Sequence, residues 1–130
     1  MTAPVLISFG EALTDLVTDG AGSFRALCGG APWNVARACS ALGMPSAWAG
    51  AISGDSFGDA LYEASRAAGL DTRFIQRIKG RPPLLAVVDR LDPPHYFFIG
   101  ERSADLAFDP GLLPTDWSAQ ARWALFGGTL

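Results

Sequence analysis

The strongest candidate for chemistry in this sequence is a glycine pair that leads directly into a stretch with helical spacing. Residues 29–34 read Gly-Gly-Ala-Pro-Trp-Asn. Glycine adopts backbone angles that other residues avoid and lets a ligand approach the main chain, while a helix N-terminus presents unpaired N–H groups with partial positive charge. The segment therefore predicts a site for an oxygen-rich ligand. It also fits a simple tight turn, because it is neither Gly-x-Gly-x-x-Gly nor a phosphate-binding loop with its lysine.

Three charged residues are candidates for contacts with such a ligand. Asp15 follows the first predicted strand, near the edge where open α/β sheets bind ligands, and its carboxylate can accept hydrogen bonds from two neighbouring hydroxyls. Glu11 is a weaker candidate in the same segment. Arg102 leaves the second predicted hairpin, from which it could reach over a bound ligand. For Asp15 and Arg102 the alternative is an ordinary solvated side chain.

The remaining reactive residue types indicate little chemistry. His95 lies beside a predicted turn, so we expect a surface histidine and assign it no role. Cys28 and Cys39 are too few for a disulfide framework, and no Cys-x-x-Cys or paired histidines predict a zinc site. We expect the tryptophans to lie in the core, although Trp33 could instead face a pocket from within the glycine segment.

The elements that would position these residues can be read from hydrophobic spacing and turn residues. The predicted strands and helices are as follows: a strand over Pro4–Phe9, a hairpin with arms at 16–17 and 24–28, a helix over Pro32–Leu42, a strand over Ser46–Ile52, a helix from Ser56 to a stop at Gly69, a hairpin with arms at 84–91 and 95–99, and a core strand at Trp123–Phe126. We expect Ser56 and Asp59 to cap the second helix. Alternating strands and helices predict an α/β fold with a mostly parallel sheet, and the two hairpins predict a separate small antiparallel flap.

Length and composition exclude several classes of protein. The chain has 130 residues, of which 49% are hydrophobic and 18% charged, as expected for one folded domain. Its net charge of -3 has the wrong sign for a protein that binds nucleic acid. No apolar run approaches the roughly 20 residues that cross a bilayer, so we expect no membrane partner. The first residues lack the basic side chain of a secretory signal, and we expect a cytoplasmic location.

Taken in order, these segments resemble the N-terminal half of the ribokinase/fructokinase (PfkB-type) sugar kinases. The resemblance is carried by three segments: Ile7–Asp15, which reads Ile-Ser-Phe-Gly-Glu-Ala-Leu-Thr-Asp, Gly29–Ala36, and Gly54–Gly58. The Gly-Gly-Ala-Pro-x-Asn form is most similar to fructokinases. Ala104-Asp105 and the strand end at 125–128 fit the same order, so the resemblance extends over essentially all 130 residues.

The resemblance implies a ribokinase-like fold, with a partial Rossmann-like parallel sheet and a β-lid that closes over a monosaccharide. The lid would consist of the hairpins at about 14–28 and 84–102. By position, Asp15 resembles the family's aspartate that binds sugar hydroxyls, and Gly29, Gly30 and Asn34 resemble its glycine pair and sugar-binding asparagine. Arg102 lies near a position that contacts acidic or ketose substrates in some relatives. We expect these five residues to bind substrate.

The same resemblance implies that residues 1–130 are the N-terminal part of a ribokinase-like domain. The family's catalytic Asp-Thr-x-Gly-Ala-Gly-Asp-like segment, which supplies the general base and much of the ATP site, does not occur here. We therefore expect no catalytic or metal residue in this chain, ATP and Mg²⁺ only in the complete enzyme, and no activity from the chain alone. The implied function is fructokinase-like phosphorylation of a monosaccharide. The alternatives are a 2-keto-3-deoxygluconate or nucleoside kinase relative, and a non-catalytic module that binds sugar or forms a homodimer through the β-lid.

Overall fold

The computed structural model of the protein describes residues 2–128 and contains two β-sheets with helices between their strands. Within these residues the strands and α-helices are, in chain order, β1 (Leu6–Phe9), β2 (Leu13–Thr18), β3 (Phe24–Gly29), α1 (Ala31–Ala41), β4 (Ser46–Ser53), α2 (Ser56–Ala67), β5 (Ile75–Ile78), β6 (Leu85–Leu91), β7 (Pro94–Ile99), α3 (Trp117–Gln120) and β8 (Trp123–Phe126). Short 3₁₀ turns lie at Thr72–Phe74, Ala104–Ala107 and Pro110–Leu112. No described helix is long and apolar enough to cross a membrane.

The first sheet is parallel and has the strand order β5-β4-β1-β8. Its two central strands are almost fully buried, with Ile7 of β1 paired with Ala47 of β4. Helices cover parallel sheets on their faces, which is why both strands consist of continuous apolar and small residues. The predicted strands at Pro4–Phe9 and Ser46–Ile52 and the parallel arrangement are therefore confirmed.

The second sheet, called the lid sheet below, has the order β3-β2-β6-β7. Both predicted hairpins are present as antiparallel pairs, β2 with β3 and β6 with β7. They join through a parallel pairing of β2 with β6, in which Asp15 lies opposite Ala86. The two hairpins thus form one continuous sheet.

Both long helices end as their glycines predict. Gly43 and Gly69 have positive φ angles of 91° and 79°. After α2, the N–H of Gly69 donates to the carbonyl of Arg66 and the N–H of Leu70 donates to the carbonyl of Ser65, which is the Schellman pattern. Glycine accepts this left-handed conformation without a steric penalty, so the chain can turn sharply back toward the sheet.

The start of α2 differs from the predicted capping pair. Asp55 is the N-cap, and its carboxylate accepts hydrogen bonds from the N–H groups of Phe57 and Gly58. Asp59 lies in the first turn, where it forms an ion pair with Arg77 at 2.5 Å. An aspartate at the N-cap reaches the free N–H groups better than the serine one residue later, because the capping residue must precede the first helical turn.

Two strands correct the sequence-based description. The predicted core strand Trp123–Phe126 forms, but all four of its residues are exposed, since β8 occupies the edge of the parallel sheet. Strand β5 was not predicted, because its Gln76 and Arg77 interrupt a run of only four residues. It nevertheless pairs with β4 at the opposite edge.

Candidate functional site

The junction between β3 and α1 places a glycine pair directly against the start of β2. Gly30 is the N-cap of α1, with φ at 113°, and no side chain caps this helix. A β-carbon at Gly30 would lie 2.7 Å from the carbonyl oxygen of Glu11, so only glycine fits this approach of two backbones. The first turn of α1 therefore lacks the side-chain cap that Asp55 gives the first turn of α2.

Asp15 lies next to this junction. It is a half-buried residue of β2, and its register partner on β3 is Leu27. A β-carbon at Gly29 would overlap the Oδ2 atom of Asp15, so the carboxylate rests against the bare main chain of the glycine pair. The structure thus brings together Asp15, Gly29 and Gly30, which the sequence predicted as one site.

The carboxylate of Asp15 is partly desolvated and has no charged partner among residues 2–128. Within residues 2–128, no hydrogen bond or ion pair to Asp15 is formed by another side chain. Burial raises the pKa of Asp15 above its ordinary value because desolvation penalises the charged form. A ligand that donates hydrogen bonds to such a carboxylate stabilises its charged form strongly.

Asn34 lies one helical turn from the glycine pair, where its N–H donates to the carbonyl oxygen of Gly30 at 2.8 Å. Its side chain is exposed, and its Oδ1 atom accepts a hydrogen bond from the guanidinium of Arg37 at 3.3 Å. The neighbouring Trp33 does not face a pocket. It is 1% exposed, and its Nε1 donates to the hydroxyl of Ser65 in the core between α1 and α2.

Arg102 makes no polar contact with the other candidates among residues 2–128. It is an exposed residue of the turn after β7, with a positive φ of 58°. No hydrogen bond or ion pair within residues 2–128 links it to Asp15 or Asn34. The turn itself is closed by Ser103, whose N–H and hydroxyl both donate to the carbonyl of Gly100.

A cavity of about 190 Å³ lies at the carboxyl end of β1, beside Ala49 and Gly50 in the middle of β4. The carboxyl ends of strands are where open α/β sheets bind ligands. Glu11 and Asp105 contribute carboxylates to its lining, and Gly10 and Gly50 contribute bare main chain. Glu11 is 9% exposed, and its carboxylate lies close to the main chain of Gly128. Sequence reasoning ranked Glu11 as a weak candidate; its position at a strand end was the available signal.

The end of β1 is fixed by a tryptophan. Trp48 Nε1 donates to the carbonyl oxygen of Gly10 at 3.1 Å. Gly10 has φ at 142°, and a β-carbon there would overlap the carbonyl of Gly127 and the ring of Pro32. The chain therefore leaves the parallel sheet and enters the lid sheet at a point where β1, β8 and α1 meet.

Comparison with solved structures defines the class of this fold. A fructokinase with bound ATP from Xylella fastidiosa superimposes with a TM-score of 0.87 at 32% sequence identity, covering 93% of this chain and 38% of that one. An uncharacterized sugar kinase from Pyrococcus horikoshii in complex with ATP gives a TM-score of 0.84 at 27% identity, covering 94% and 42%. The fold is thus that of the ribokinase-like sugar kinases.

The family model for the pfkB family carbohydrate kinases matches residues 5–124, and the chain belongs to this family. Fructokinase-2 of Solanum lycopersicum is 34% identical over 132 residues, which covers 95% of this chain and 40% of the relative. The fructokinase of Klebsiella pneumoniae is 32% identical over 108 residues, covering 81% and 35%. The chain therefore spans about two fifths of the length of these curated relatives.

Proposed function

We propose that this chain supplies the sugar-binding site and the lid of an ATP-dependent sugar kinase that resembles the fructokinases. The observation that carries the proposal is the desolvated carboxylate of Asp15 against Gly29, beside the uncapped first turn of α1. Vicinal hydroxyls of a monosaccharide are suitable donors for this carboxylate. The similarity to fructokinases favours a ketohexose whose primary hydroxyl accepts the phosphoryl group.

Each residue of the proposed site has a distinct task. Asp15 accepts hydrogen bonds from two sugar hydroxyls, and the amide of Asn34 binds a further one. Gly29 and Gly30 allow the sugar to approach the main chain and the helix N-terminus. Arg102 is proposed to contribute when the lid moves over the sugar, since no hydrogen bond or ion pair among residues 2–128 joins it to Asp15 or Asn34.

The lid sheet is proposed to close over the bound sugar. Closure excludes water, so that the phosphoryl group is transferred to the sugar hydroxyl and ATP is not hydrolysed. Asp15 lies on β2 of the lid sheet, whereas Asn34 lies on α1. A sugar held by both side chains would therefore couple substrate binding to the lid position.

We propose that ATP and Mg²⁺ bind to residues outside this sequence. The Asp-Thr-x-Gly-Ala-Gly-Asp-like segment, which supplies much of the ATP site in the family that this sequence resembles, is not found in the 130 residues. When bound, ATP supplies the phosphoryl group and Mg²⁺ offsets its charge. The role of this chain is to orient the sugar, and the proposed compartment is the cytoplasm.

Calorimetric titration with fructose tests the proposed site. The wild-type chain should bind fructose, and Asp15→Asn should weaken binding about tenfold or more, because hydrogen bonds to a charged acceptor contribute roughly 1.5–3 kcal/mol each. Asp92→Asn, which removes an exposed carboxylate in the turn of the other lid hairpin, is the matched control and should bind as wild type does. Equal affinities for wild type and Asp15→Asn would contradict the site.

Titration with 2-keto-3-deoxygluconate and a nucleoside distinguishes the related kinases.

A second candidate function is association through the lid sheet. Phe97 and Ile99 of β7 are 44% and 50% exposed, and they lie on the face of the lid sheet opposite to Asp15. Exposed apolar surface on an edge strand favours pairing with a second copy. Sedimentation should then show a concentration-dependent dimer that Phe97→Glu abolishes and Leu106→Glu, an equally drastic change outside the lid sheet, preserves. A monomer at all concentrations would reject this function.

A further inference from the structure

We propose that Arg37 is a positioning residue for Asn34: it holds the amide oxygen, so that the two amide N–H groups remain available as donors to a sugar oxygen. The inference rests on the proposed function only in naming the sugar as ligand. It assigns a task to an exposed arginine that the sequence motif does not explain.

The contact between the two side chains has only one chemically consistent orientation. The Nη1 atom of Arg37 lies 3.3 Å from Oδ1 of Asn34. A guanidinium carries donors and no acceptor, so the oxygen of the amide, and not its nitrogen, must face it. Within residues 2–128 no other group accepts a hydrogen bond from Arg37, and no carboxylate pairs with it. Asn34 is therefore the partner that the guanidinium retains.

The guanidinium is itself held in place by an aromatic platform. The Cζ atom of Arg37 lies over the ring of Trp33, 4.3 Å from its centroid. A cation over the face of an indole ring is attracted to it, and stacking restricts a side chain that would otherwise move freely in solvent. Arg37 follows Trp33 by four residues and Asn34 by three on α1, the two spacings that let helical side chains meet.

The platform is anchored in the core. Nε1 of Trp33 donates to the hydroxyl of Ser65 at 2.8 Å, and that hydroxyl donates to the carbonyl of Leu61 at 2.7 Å. Trp33 and Ser65 are each 1% exposed. A continuous set of contacts thus runs from the interior of α2 through Trp33 and Arg37 to the exposed amide of Asn34.

This arrangement gives the proposed site complementary groups for a polyol. Asp15 offers only acceptors, whereas Asn34 with its oxygen engaged offers donors. A sugar hydroxyl both donates and accepts, so neighbouring hydroxyls can satisfy both side chains. Because the amide of Asn34 is already fixed before the sugar binds, less side-chain conformational entropy is lost on binding.

The first experiment measures the order of the Asn34 side chain by nitrogen relaxation in the sugar-free chain. In wild type we expect an order parameter of about 0.8 for the Nδ2 amide of Asn34. In Arg37→Met we expect a value below about 0.6, which is typical of a flexible group. Methionine keeps an apolar stem over Trp33, so the variant removes the hydrogen bond while keeping much of the cover. Arg81→Met, a loss of an exposed arginine before β6, is the matched control and should leave Asn34 unchanged. Equal order parameters in wild type and Arg37→Met overturn the proposal.

The second experiment is a double-mutant cycle with fructose as the probe. Arg37→Met should raise the Kd about fivefold, as expected for loss of one partly exposed charge-assisted hydrogen bond. In the Asn34→Ala background the same substitution should have no further effect, because Arg37 then has nothing to position. Arg37→Lys should restore part of the affinity, since lysine still donates to the amide oxygen but lacks the planar fork.

The outcomes separate this inference from the proposed function. An undiminished effect of Arg37→Met in the Asn34→Ala background would mean that Arg37 contacts the sugar itself, which overturns a positioning role. If wild type binds no fructose, the proposed function fails, and the order parameters alone still decide whether Arg37 fixes the amide.

Discussion

At the scale of single residues, Asp15 is an ionisable group in a partly desolvated environment that disfavours its charged form. Its carboxylate is partly desolvated and rests against Gly29, while no side chain among residues 2–128 compensates it. Such a group lowers the stability of the folded protein. It is stabilised when a ligand donates hydrogen bonds to it. We interpret Asp15 as a residue that lowers the stability of the sugar-free protein because its carboxylate is placed to bind a sugar.

Asp15→Asn should therefore stabilise the sugar-free protein in a pH-dependent way. The folded pKa of Asp15 is raised above its ordinary value of 3.8, so the ionised form disfavours folding as pH rises through the folded pKa. The small stability gain of the variant should be absent well below pH 3.8 and complete near neutral pH. Denaturation by urea at several pH values measures it. A loss of stability at neutral pH would contradict a desolvated, unpaired Asp15.

Gly29→Ala tests the contact between the glycine pair and the carboxylate. The new β-carbon would overlap Oδ2 of Asp15, which is the far end of a rotatable side chain. We expect Asp15 to turn away at a cost below about 1 kcal/mol in stability, with fructose affinity reduced about tenfold or more. Gly54→Ala is the control, because its β-carbon would make only ordinary contacts at 3.5 Å or more. Retained affinity in Gly29→Ala would show that this contact does not hold the sugar-binding geometry.

The resemblance to sugar kinases predicted Asp15, Gly29 and Gly30 as substrate-binding residues; the structure places the carboxylate of Asp15 against Gly29, and their role in binding stays a prediction. Arg37 was not predicted, since an arginine on a helix surface is usually just solvated. Its interaction depends on the rotamer that places the guanidinium over Trp33 and beside Asn34. The spacing of these residues on α1 was the signal that could have indicated it.

At the scale of elements, the helix ends show how local chemistry sets boundaries. Glycine at positive φ ends both α1 and α2, and these stops could be predicted because few other residues adopt that conformation. The N-cap of α2 is Asp55, one residue before the predicted cap Ser56, since serine and aspartate both cap helices well. The hydrogen bonds to Asp55 decide between them.

Asp55→Ala should destabilise the protein by about 1 kcal/mol near neutral pH, the usual effect of losing an N-cap. Burial works against ionisation of Asp55, but hydrogen bonds from the Ser53 hydroxyl and the first N–H groups of α2 lower its pKa below 3.8. The stabilisation is therefore present above pH 3.8 and is lost as pH falls through the folded pKa.

Thermal melting of Asp55→Ala and Asp59→Ala distinguishes the two possible caps. Asp59 is 69% exposed and forms a surface ion pair with Arg77, so Asp59→Ala should change stability by less than about 0.5 kcal/mol. A larger loss of stability from Asp59→Ala than from Asp55→Ala would favour the predicted cap of Ser56 and Asp59.

At the scale of the whole molecule, the parallel pairing of β2 with β6 joins two hairpins that lie far apart in the sequence. Extended apolar runs on either side of turn residues predicted each hairpin, because a hairpin is defined by its own turn and local pairs. It could not predict the union of the two, since non-local pairing depends on the shape of the assembled chain. The edge positions of β5 and β8 escaped prediction for the same reason.

The first hairpin connects the lid sheet directly to α1, because Gly29 ends β3 and Gly30 is the N-cap of α1. Asp15 belongs to the lid sheet, and the first turn of α1 belongs to the layer that covers the parallel sheet. The proposed sugar therefore lies where the lid sheet meets the body, at the connection through Gly30.

The most direct test is a chemical-shift map of the 130-residue chain titrated with fructose. The proposed site predicts that the backbone amides of Asp15, Gly29, Gly30 and Asn34 shift together with one saturating affinity, and that Asp15→Asn removes these shifts. Shifts confined to other surfaces, or no saturable shift at any fructose concentration, would contradict the proposal that this chain orients a sugar.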